Sequence, residues 1–448
     1  MLSILKNAWP LLLGLMLLML GNGLQGTLLG VRGALEGFDS ADMSYVMSAY
    51  FLGLLLGSRI APRMIKRVGH VRVFAAFASV ISAAFILYAA APNLLVWAAM
   101  RLIVGFCFAG VYVVVESWLN DSATNETRGQ ALSLYMIVQM VGIVSAQGVM
   151  TLADPAGWTL FVVISVLVSL SFAPILLSVS PAPVFETTSP MSLGALFRAS
   201  PLGCVGIVLL GAAFSGLFGM SAVYGAERGL TVTQISIFVA LIYTGGLLCQ
   251  YPIGWVSDRM DRRALILIIT AVASASSVFG WLMGGDIVAL YVAAFLIGGA
   301  VNPLYPLLIA HTNDFLQPRD MAAASGGLMF LNGVGAIGGP IFIGFLMQRF
   351  GPQMFFLQTA LLLAAISAYA LWRTTRRAAP SLAEQSAYAA ILPQSSAVAM
   401  EVAQDIAIAQ ILAGEAEAAA KAEAEAEAEV EAEAEVEAAP ERGAQIPA

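Results

Sequence analysis

The sequence of 448 residues is poor in charge and in cysteine. Only 11% of its residues are charged, against about 25% in soluble proteins, which excludes an ordinary water-exposed surface. The three cysteines, Cys107, Cys204 and Cys249, lie far apart in apolar runs and predict neither a disulfide framework nor a metal site. The sequence has no G-x-x-x-x-G-K-S/T loop for ATP and no His/Cys/Asp cluster for a catalytic metal. We therefore expect neither an enzyme nor a bound cofactor.

The formal net charge of −7 is unevenly distributed along the chain. Residues 1–377 carry 19 basic and 14 acidic side chains, whereas residues 378–448 carry 2 and 14. The body is basic, and the acidity belongs to a low-complexity tail in which Glu alternates with Ala over 415–438. Glutamates four residues apart repel, so we expect a weak helix or a disordered, solvated tail that is dispensable. Residues 396–412 have the pattern of an amphipathic segment that would lie on the body.

Long apolar runs indicate a multi-pass membrane protein. A transmembrane helix needs about 20 mostly apolar residues. Twelve such spans are predicted, at 8–30, 43–62, 73–91, 94–118, 130–152, 158–180, 202–224, 234–256, 264–284, 287–310, 322–347 and 353–373. The first run has no small-residue cleavage site, which favours a retained span over a signal peptide. The predicted fold class is all-α, with twelve transmembrane helices.

The distribution of Lys and Arg predicts the orientation, because cytoplasmic loops retain basic residues. With the N-terminus inside, the outer face receives only Arg32, Arg228 and Arg349. The inner face receives Lys6, Arg59, Arg63, Lys66, Arg67, Arg72, Arg128, Arg198, Arg259, Arg262, Arg263, Arg319, Arg373, Arg376 and Arg377. We expect both termini to be cytoplasmic and the protein to lie in the cell inner membrane.

The two halves of the body match at an offset of 192 to 193 residues. Gly105 then aligns with Gly298, Gly142 with Gly335, and the pair Asn120-Asp121 with Asn313-Asp314. Two similar halves enclosing a central site are typical of secondary transporters. The predicted organisation is a first bundle at 1–180, a cytoplasmic loop at 181–200, a second bundle at 201–377 and the tail at 378–448.

The loop after span 8 reads Gly254-Trp-Val-Ser-Asp258-Arg259-Met-Asp261-Arg262-Arg263. It resembles the G-x-x-x-D-R-x-G-R-R signature of the major facilitator superfamily, with Asp261 in place of the second glycine. Span 4 adds Arg101-Leu-Ile-Val-Gly105, similar to the R-x-x-x-G of that family. The run from Tyr112 to Trp118 is similar to the poorly characterised YcaD-like branch of bacterial permeases. The resemblance implies two pseudo-repeated six-helix bundles.

In that family the short loops act as a conformational latch between two states. The resemblance assigns this role to Gly254, Asp258, Arg259 and Arg262 in the second half. In the first half Lys66 replaces the signature Asp beside Arg67, and Glu116 is expected to supply an acceptor to Lys66, Arg67 or Arg128. Simple retention of basic residues at the inner face is the alternative interpretation.

Ionisable groups inside spans are costly, at about 3 kcal/mol on insertion scales, so each is a functional candidate. Arg101 and Glu116 qualify. With Gly105, Phe108 and Tyr112 they recur every three or four residues and share one face of span 4. Arg101 would contact substrate, or instead cap carbonyls or bond to span 1. Glu116 would carry protons, or instead lie near the inner headgroups.

The resemblance places spans 1, 4, 7 and 10 around the cavity. The predicted substrate-cavity residues are Asn22, Gln25, Arg101, Phe108, Tyr112, Phe214, Phe218, Asn302 and Tyr305. Amides in lipid also serve as contacts between helices, worth about 0.6 kcal/mol, so lining and helix packing both remain open for Asn22, Gln25 and Asn302.

These observations predict a secondary active transporter of a small organic solute, working by alternating access and coupled to protons as a symporter or antiporter. Arg101 favours an anionic group on the solute, and the aromatic residues favour an apolar body. A multidrug or metabolite efflux antiporter is one alternative. Another is a transporter-derived ligand sensor or scaffold without net flux. The expected partners are the lipid bilayer, the solute and protons, with no nucleic acid and no identifiable tail partner.

Overall fold

The computed structural model describes residues 2–121, 123–124, 127–176, 191–376 and 385–438, and every regular element within these ranges is helical. The helices of the first half are α1 Leu2–Leu35, α2 Ser40–Val68, α3 His70–Ala90, α4 Leu94–Asp121, α5 Arg128–Met150, α6 Thr159–Ser171 and α7 Ala173–Leu176. The second half has α8 Leu193–Ala199, α9 Pro201–Glu227, α10 Val232–Ser257, α11 Arg262–Met283, α12 Ile287–Asn313, α13 Pro318–Phe350 and α14 Met354–Thr374. The chain ends in α15, Ala397–Ala438.

Eleven predicted spans are single helices that are long and apolar enough to cross a membrane. The sixth is broken at Phe172 into α6 and α7, because Pro174 has no N–H to continue the helix. Residues 177–190, which include half of the predicted inter-bundle loop, lie outside the described residues, as does Arg377. The remaining part of that loop contains α8, whose first turn is capped by Ser192.

Short polar caps set the helix ends between spans. Asp39 accepts a hydrogen bond from the N–H of Asp42 at the start of α2. Thr231 and Gln234 form a reciprocal capping box at the start of α10. Gly69, at a φ of 90°, lets the chain reverse directly from α2 into α3. These tight connections place successive spans side by side.

Glycines repeat the same helix contact in both halves. Gly53 and Gly105 bring α2 and α4 so close that a Cβ on either would lie 2.1 or 2.0 Å from a backbone carbonyl oxygen of the other helix. Gly245 and Gly298 do the same between α10 and α12, again at 2.1 and 2.0 Å. The second pair follows the first by 192 and 193 residues. The offset found in the sequence therefore recurs as a packing contact.

The two bundles meet directly at the face where α2 begins. There Gln348 donates to Asp39 at 2.5 Å, and the hydroxyl of Ser48 donates to the carbonyl of Ile337 at 2.9 Å. Gly344 lies against Ser40 and Ser44. We call this the gate face, defined by Ser40, Ser48 and Gly344. The opposite face, defined by the ends of α2, α4, α10 and α12 and carrying most of the basic residues, is the basic face.

The first part of the tail is buried, so the expectation of a solvated tail was wrong for residues 385–407. The expected packing of 396–412 on the body holds for its first part, and the described Glu/Ala repeat is an exposed helix. Residues 385–407 enter the body at the basic face, where Ser386, Leu392 and Ala399 are each 1% exposed. The helix α15 starts inside the body and continues through the Glu/Ala repeat to residue 438. Its described side chains after residue 408 are mostly exposed. The tail thus has a buried first part and an exposed acidic second part.

Candidate functional site

Arg101 lies in the interior of α4 and is only 6% exposed. Its Nη2 contacts the sulfur of Met47 at 3.3 Å, and its guanidinium carbon lies 4.8 Å from the centre of the Tyr50 ring. No Asp or Glu of the described residues forms an ion pair with Arg101. The groups that interact electrostatically with its guanidinium are the hydroxyls of Tyr50, Tyr88 and Tyr243. A buried charge without a counter-charge is costly in a membrane interior.

Tyrosines and amides surround the guanidinium. The hydroxyl of Tyr50 lies near the side chains of Asn22 and Tyr112. The amide of Gln25 donates to the Tyr88 hydroxyl at 3.2 Å. We call Gln25, Met47, Tyr50, Tyr88, Arg101, Tyr112 and Tyr243 the arginine cluster. Arg101 therefore bonds to α2 rather than to Asn22 or Gln25 of α1, which was the alternative expectation.

The second bundle closes the arginine cluster with aromatic rings. Tyr243 of α10 interacts electrostatically with Arg101. The centre of its ring lies 4.6 Å from the centre of the Phe218 ring of α9. Phe218 in turn lies 4.4 Å from Phe214. On the α4 side, Phe108 is 6.3 Å from Tyr50 and 5.9 Å from Tyr112. The Tyr50 ring thus lies next to the guanidinium, and Tyr243 brings a hydroxyl of the second bundle close enough to interact with it electrostatically.

Asn302 and Tyr305 belong to the buried part of α12. The Asn302 side chain lies against Gly246 of α10, one turn from Tyr243, and reaches the Gly298 carbonyl at 3.5 Å. This arrangement favours a helix-packing role for Asn302 over direct contact with Arg101. Tyr305 is 1% exposed.

Several buried polar atoms of this region have no hydrogen-bond partner among the described residues. They include Nε of Arg101, Oε1 of Gln25 and Oδ1 of Asn302. An unsatisfied buried polar group costs about 1–3 kcal/mol. A solute that supplied an acceptor to Arg101 and a donor to Gln25 would remove part of that cost.

At the basic face Arg262 joins three acidic or hydroxyl groups. It forms ion pairs with Asp258 at 3.3 Å and with Asp314, and it donates to Ser257 at 3.1 Å. Burial raises the pKa of the Asp314 carboxyl, and the adjacent Arg262 guanidinium opposes that rise. Arg259 instead stacks on Trp255, 4.2 Å from the ring centre. The network also binds the tail, because Ser386 contacts both Arg262 and Asp314.

Asp261, which departs from the family signature, begins α11. Its carboxylate accepts the backbone N–H of Arg263 at 2.9 Å, as an N-cap residue does. The signature glycine Gly254 faces the tail: a Cβ there would lie 2.7 Å from the ring of Tyr388. Lys66 and Arg67 are exposed in the last turn of α2.

The expected pairing of Glu116 with Lys66, Arg67 or Arg128 was wrong. The Glu116 carboxylate accepts a hydrogen bond from Tyr135 at 2.6 Å and further bonds from Ser396 and Ala399 of the tail. Arg128 pairs with Asp405 at 3.4 Å instead. Glu116 is 4% exposed and lies inside the body, so neutral donors satisfy it rather than surface cations.

Sequence reasoning missed Met47, Tyr50, Tyr88 and Tyr243. They lie on the second, third and eighth predicted spans, which the resemblance did not assign to the cavity. For the three tyrosines, the sequence did carry a signal: each places a hydroxyl inside an apolar run, and a buried hydroxyl usually has a hydrogen-bonding partner.

A model of the Major Facilitator Superfamily matches residues 11–232 and 203–414. The chain belongs to the Major Facilitator Superfamily. An uncharacterized MFS-type transporter of Enterobacter sp. (strain 638) is 28% identical over 355 residues, 78% of this chain and 91% of the relative. The uncharacterized MFS-type transporter YcaD of Escherichia coli O139:H28 is 28% identical over 358 residues, with the same coverage. The resemblance to the YcaD-like branch is confirmed.

Solved structures have the same fold. The nucleoside transporter NupG aligns with a TM-score of 0.68 at 17% identity, over 82% of this chain and 100% of its own. The E. coli fucose:proton symporter FucP aligns with a TM-score of 0.52 at 15% identity, over 83% and 99%. The predicted all-α fold of two six-helix bundles is confirmed, and the protein is a multi-pass member of a transporter family.

Proposed function

We propose that the protein is a proton-coupled secondary active transporter that moves a small organic anion with an apolar or aromatic body by alternating access. The observation that carries this proposal is Arg101, a buried cation without an acidic partner among the described residues, which lies next to the Tyr50 ring and within electrostatic reach of Tyr243. An arginine in such a place binds carboxylate or phosphate with two parallel hydrogen bonds. The solute would thus replace the counter-charge that the protein does not provide.

The position of the arginine cluster supports alternating access. Tyr50 and Arg101 belong to the first bundle, and Tyr243 and Phe218 belong to the second. A solute bound between them contacts both bundles, so its binding energy depends on how the bundles are arranged. A ligand shifts a conformational equilibrium only through such a difference in affinity.

Glu116 is our proposed proton-carrying group. Its buried carboxylate lies on the same face of α4 as Arg101 and Tyr112. It accepts a hydrogen bond from the Tyr135 hydroxyl at 2.6 Å. Protonation of a buried carboxylate removes a charge that is expensive in a membrane interior. Loading and release of a proton there would change the interactions at the basic end of α4.

For the orientation, we infer that the basic face is cytoplasmic in the cell inner membrane and that both termini lie on that side. Fifteen Lys or Arg residues against three support this assignment. We retain 1–180 and 201–377 as the two bundles, joined through 181–200, with the tail from 378.

A ligand sensor without net flux is the second candidate. One observation favours it: the tail is bound to the body, so a conformational change in the body would also move the exposed acidic helix. Import and export, by contrast, are both compatible with the geometry described.

The test starts with purified full-length protein. Thermal unfolding is measured with a panel of aliphatic and aromatic carboxylates and with neutral nucleosides and sugars. We expect carboxylates to raise the midpoint, Arg101→Ala to abolish the effect, and Arg63→Ala, an exposed control on α2, to preserve it. Proteoliposomes with a pH gradient then separate transporter from sensor, since only a transporter accumulates the solute. Stabilisation by neutral sugars that survives Arg101→Ala would contradict the anion assignment.

A further inference from the structure

The opening between the bundles at the basic face is filled by the chain itself. Leu392 lies against Met136 and Met140 of α5, beside Tyr243 and Leu247 of α10. Residues 393–396 border a cleft shared with Phe51, Ala109 and Phe214. The segment therefore separates the two bundles where they would otherwise face each other, and it lies over the side of the arginine cluster that contains Tyr243.

One end of the segment is bound to the second bundle. Ser386 donates from both its backbone and its hydroxyl to Asp314, each at 3.0 Å, and its carbonyl accepts from Arg262. The backbone N–H of Tyr388 donates to Asp258 at 3.1 Å, and its hydroxyl donates to the Pro303 carbonyl at 3.4 Å. The charges that the family resemblance assigns to a latch thus serve as the binding groups for a peptide.

The start of α15 is bound to the first bundle. The Glu116 carboxylate accepts the N–H groups of Ser396 and Ala399 at 3.1 and 3.2 Å, which places a negative charge at the start of α15. The positive end of a helix dipole and its unpaired N–H groups favour a carboxylate there. Arg128 adds an ion pair to Asp405.

Residues on both sides of the start of α15 bind the second bundle. The amide of Asn332 donates to the Pro393 carbonyl at 2.9 Å, and the amide of Gln404 donates to the Ser325 hydroxyl at 3.0 Å. Each of these α13 residues is buried. Contacts with both bundles along 385–407 hold the bundles at a fixed separation on this face while the gate face is closed.

We propose that residues 385–407 are an intramolecular plug, and that the opening at the basic face is its binding site. The plug blocks access to the arginine cluster from the basic face and holds the bundles in the arrangement closed at the gate face. The docking of residues 385–407 to the body does not depend on the transport proposal. Only the effect of the plug on solute access from the basic face rests on the proposed function.

The test uses the full-length chain with Cys249, the partly exposed native cysteine, replaced by Ser. Reporter cysteines are introduced singly as Ala403→Cys in the plug, Ala109→Cys in the cleft behind it and Ala420→Cys in the exposed part of α15. The rate of maleimide modification in detergent is measured at each. We expect Ala403→Cys and Ala109→Cys to react at least about tenfold more slowly than Ala420→Cys, because reaction requires local opening.

A matched pair of variants then releases the plug. Ala399→Glu puts an unpaired charge at a site that is 1% exposed and next to Glu116, and Ala419→Glu makes the same change on the exposed part of the same helix. We expect Ala399→Glu to raise the rate at both buried reporters by about tenfold and Ala419→Glu to change neither. Ser386→Asp, beside Asp314, tests the other end should Ala399→Glu fail to fold.

Two results would overturn the plug. Equal rates at Ala403→Cys and Ala420→Cys in the unperturbed chain would mean that the segment is not docked. If Ala399→Glu raised the modification rate of the Ala403→Cys reporter but left the rate of the Ala109→Cys reporter unchanged, the segment would dock without blocking the opening. Neither readout involves a solute, so a failure of the transport proposal would be seen separately, as absence of accumulation in proteoliposomes.

Discussion

The carboxylate of Glu116 accepts hydrogen bonds from both the backbone N–H and the hydroxyl of Ser396, 280 residues away in the sequence. A carboxylate inside α4 therefore caps a helix that belongs to the tail. This relationship couples our proposed proton-carrying group to the plug at 385–407.

Replacing Glu116 by Gln removes the negative charge while keeping an acceptor of similar shape. We expect the plug to loosen, with the Ala403→Cys reporter reacting about three- to tenfold faster, since a charge at a helix N-terminus contributes about 0.5–1.5 kcal/mol. Glu36→Gln, at the gate face and paired only within α1 and its loop, is the control and should leave the rate unchanged. An unchanged rate in Glu116→Gln would show that the carboxylate does not hold the plug.

The Tyr50 hydroxyl is expected to orient the solute site rather than to stabilise the fold. Tyr50→Phe keeps the ring beneath Arg101 but removes the group that reaches Asn22 and Tyr112. We predict that the affinity for a stabilising carboxylate falls about tenfold, a loss of one hydrogen bond to a charged network, with the unfolding midpoint of the free protein changed little. Tyr45→Phe, on the exposed side of the same helix, should alter neither quantity. Equal affinities for Tyr50→Phe and Tyr45→Phe would contradict this role.

Close helix contact at Gly105 is expected to contribute to the stability of the fold. A Cβ at this position would lie 2.0 Å from the Tyr50 carbonyl oxygen, so Gly105→Ala must separate α2 from α4. We predict a loss of about 1–3 kcal/mol, measured as a lower unfolding midpoint. Gly26→Ala in α1 is the matched control, because nothing lies within 4 Å of its added Cβ, and it should be neutral or stabilising. The repeat in sequence predicts the same loss for Gly298→Ala.

Two of the three arginines of the signature loop, Arg259 and Arg262, are expected to differ sharply in their contribution to stability. Arg262→Ala leaves Asp314 without its buried partner, and we predict a loss of about 3 kcal/mol together with faster reaction of the Ala403→Cys reporter. Arg259→Ala removes only an exposed contact with Trp255 and should cost about 0.5–1 kcal/mol without changing the reporter. Similar midpoints for the two variants would mean that the buried network contributes no more than the surface contact.

Local patterns in the sequence were sufficient to predict the spans and part of the site. Apolar runs of span length give the helices, because the bilayer imposes a minimum length. The three- and four-residue spacing of Arg101, Phe108 and Tyr112 gives their shared face on α4, and the structure brings all three close to Tyr50. The glycine matches between halves became matching helix contacts for the same reason, since close approach requires a small residue.

Long-range docking was beyond those patterns. The Ser386 hydroxyl meets Arg262 across 124 residues of sequence, and neither residue carries a signal that names the other. Tyr88 and Tyr243 resemble ordinary buried aromatics until their neighbours on other helices are known. Glu116 was recognised as unusual, but its partners come from a tail whose composition suggested only solvation.

The plug belongs to the same chain as its binding site, and its first residue, Gln385, lies nine positions after Arg376 in the sequence. A ligand that is covalently linked to its own site is present at a high effective concentration, on the order of millimolar for short connections. A solute that approaches from the basic face must compete with this permanently available ligand, and a solute at the gate face meets an arrangement that the docked plug keeps closed. The apparent affinity of the arginine cluster for a solute will therefore rise when the plug is released, and the size of that rise reports how often the plug leaves.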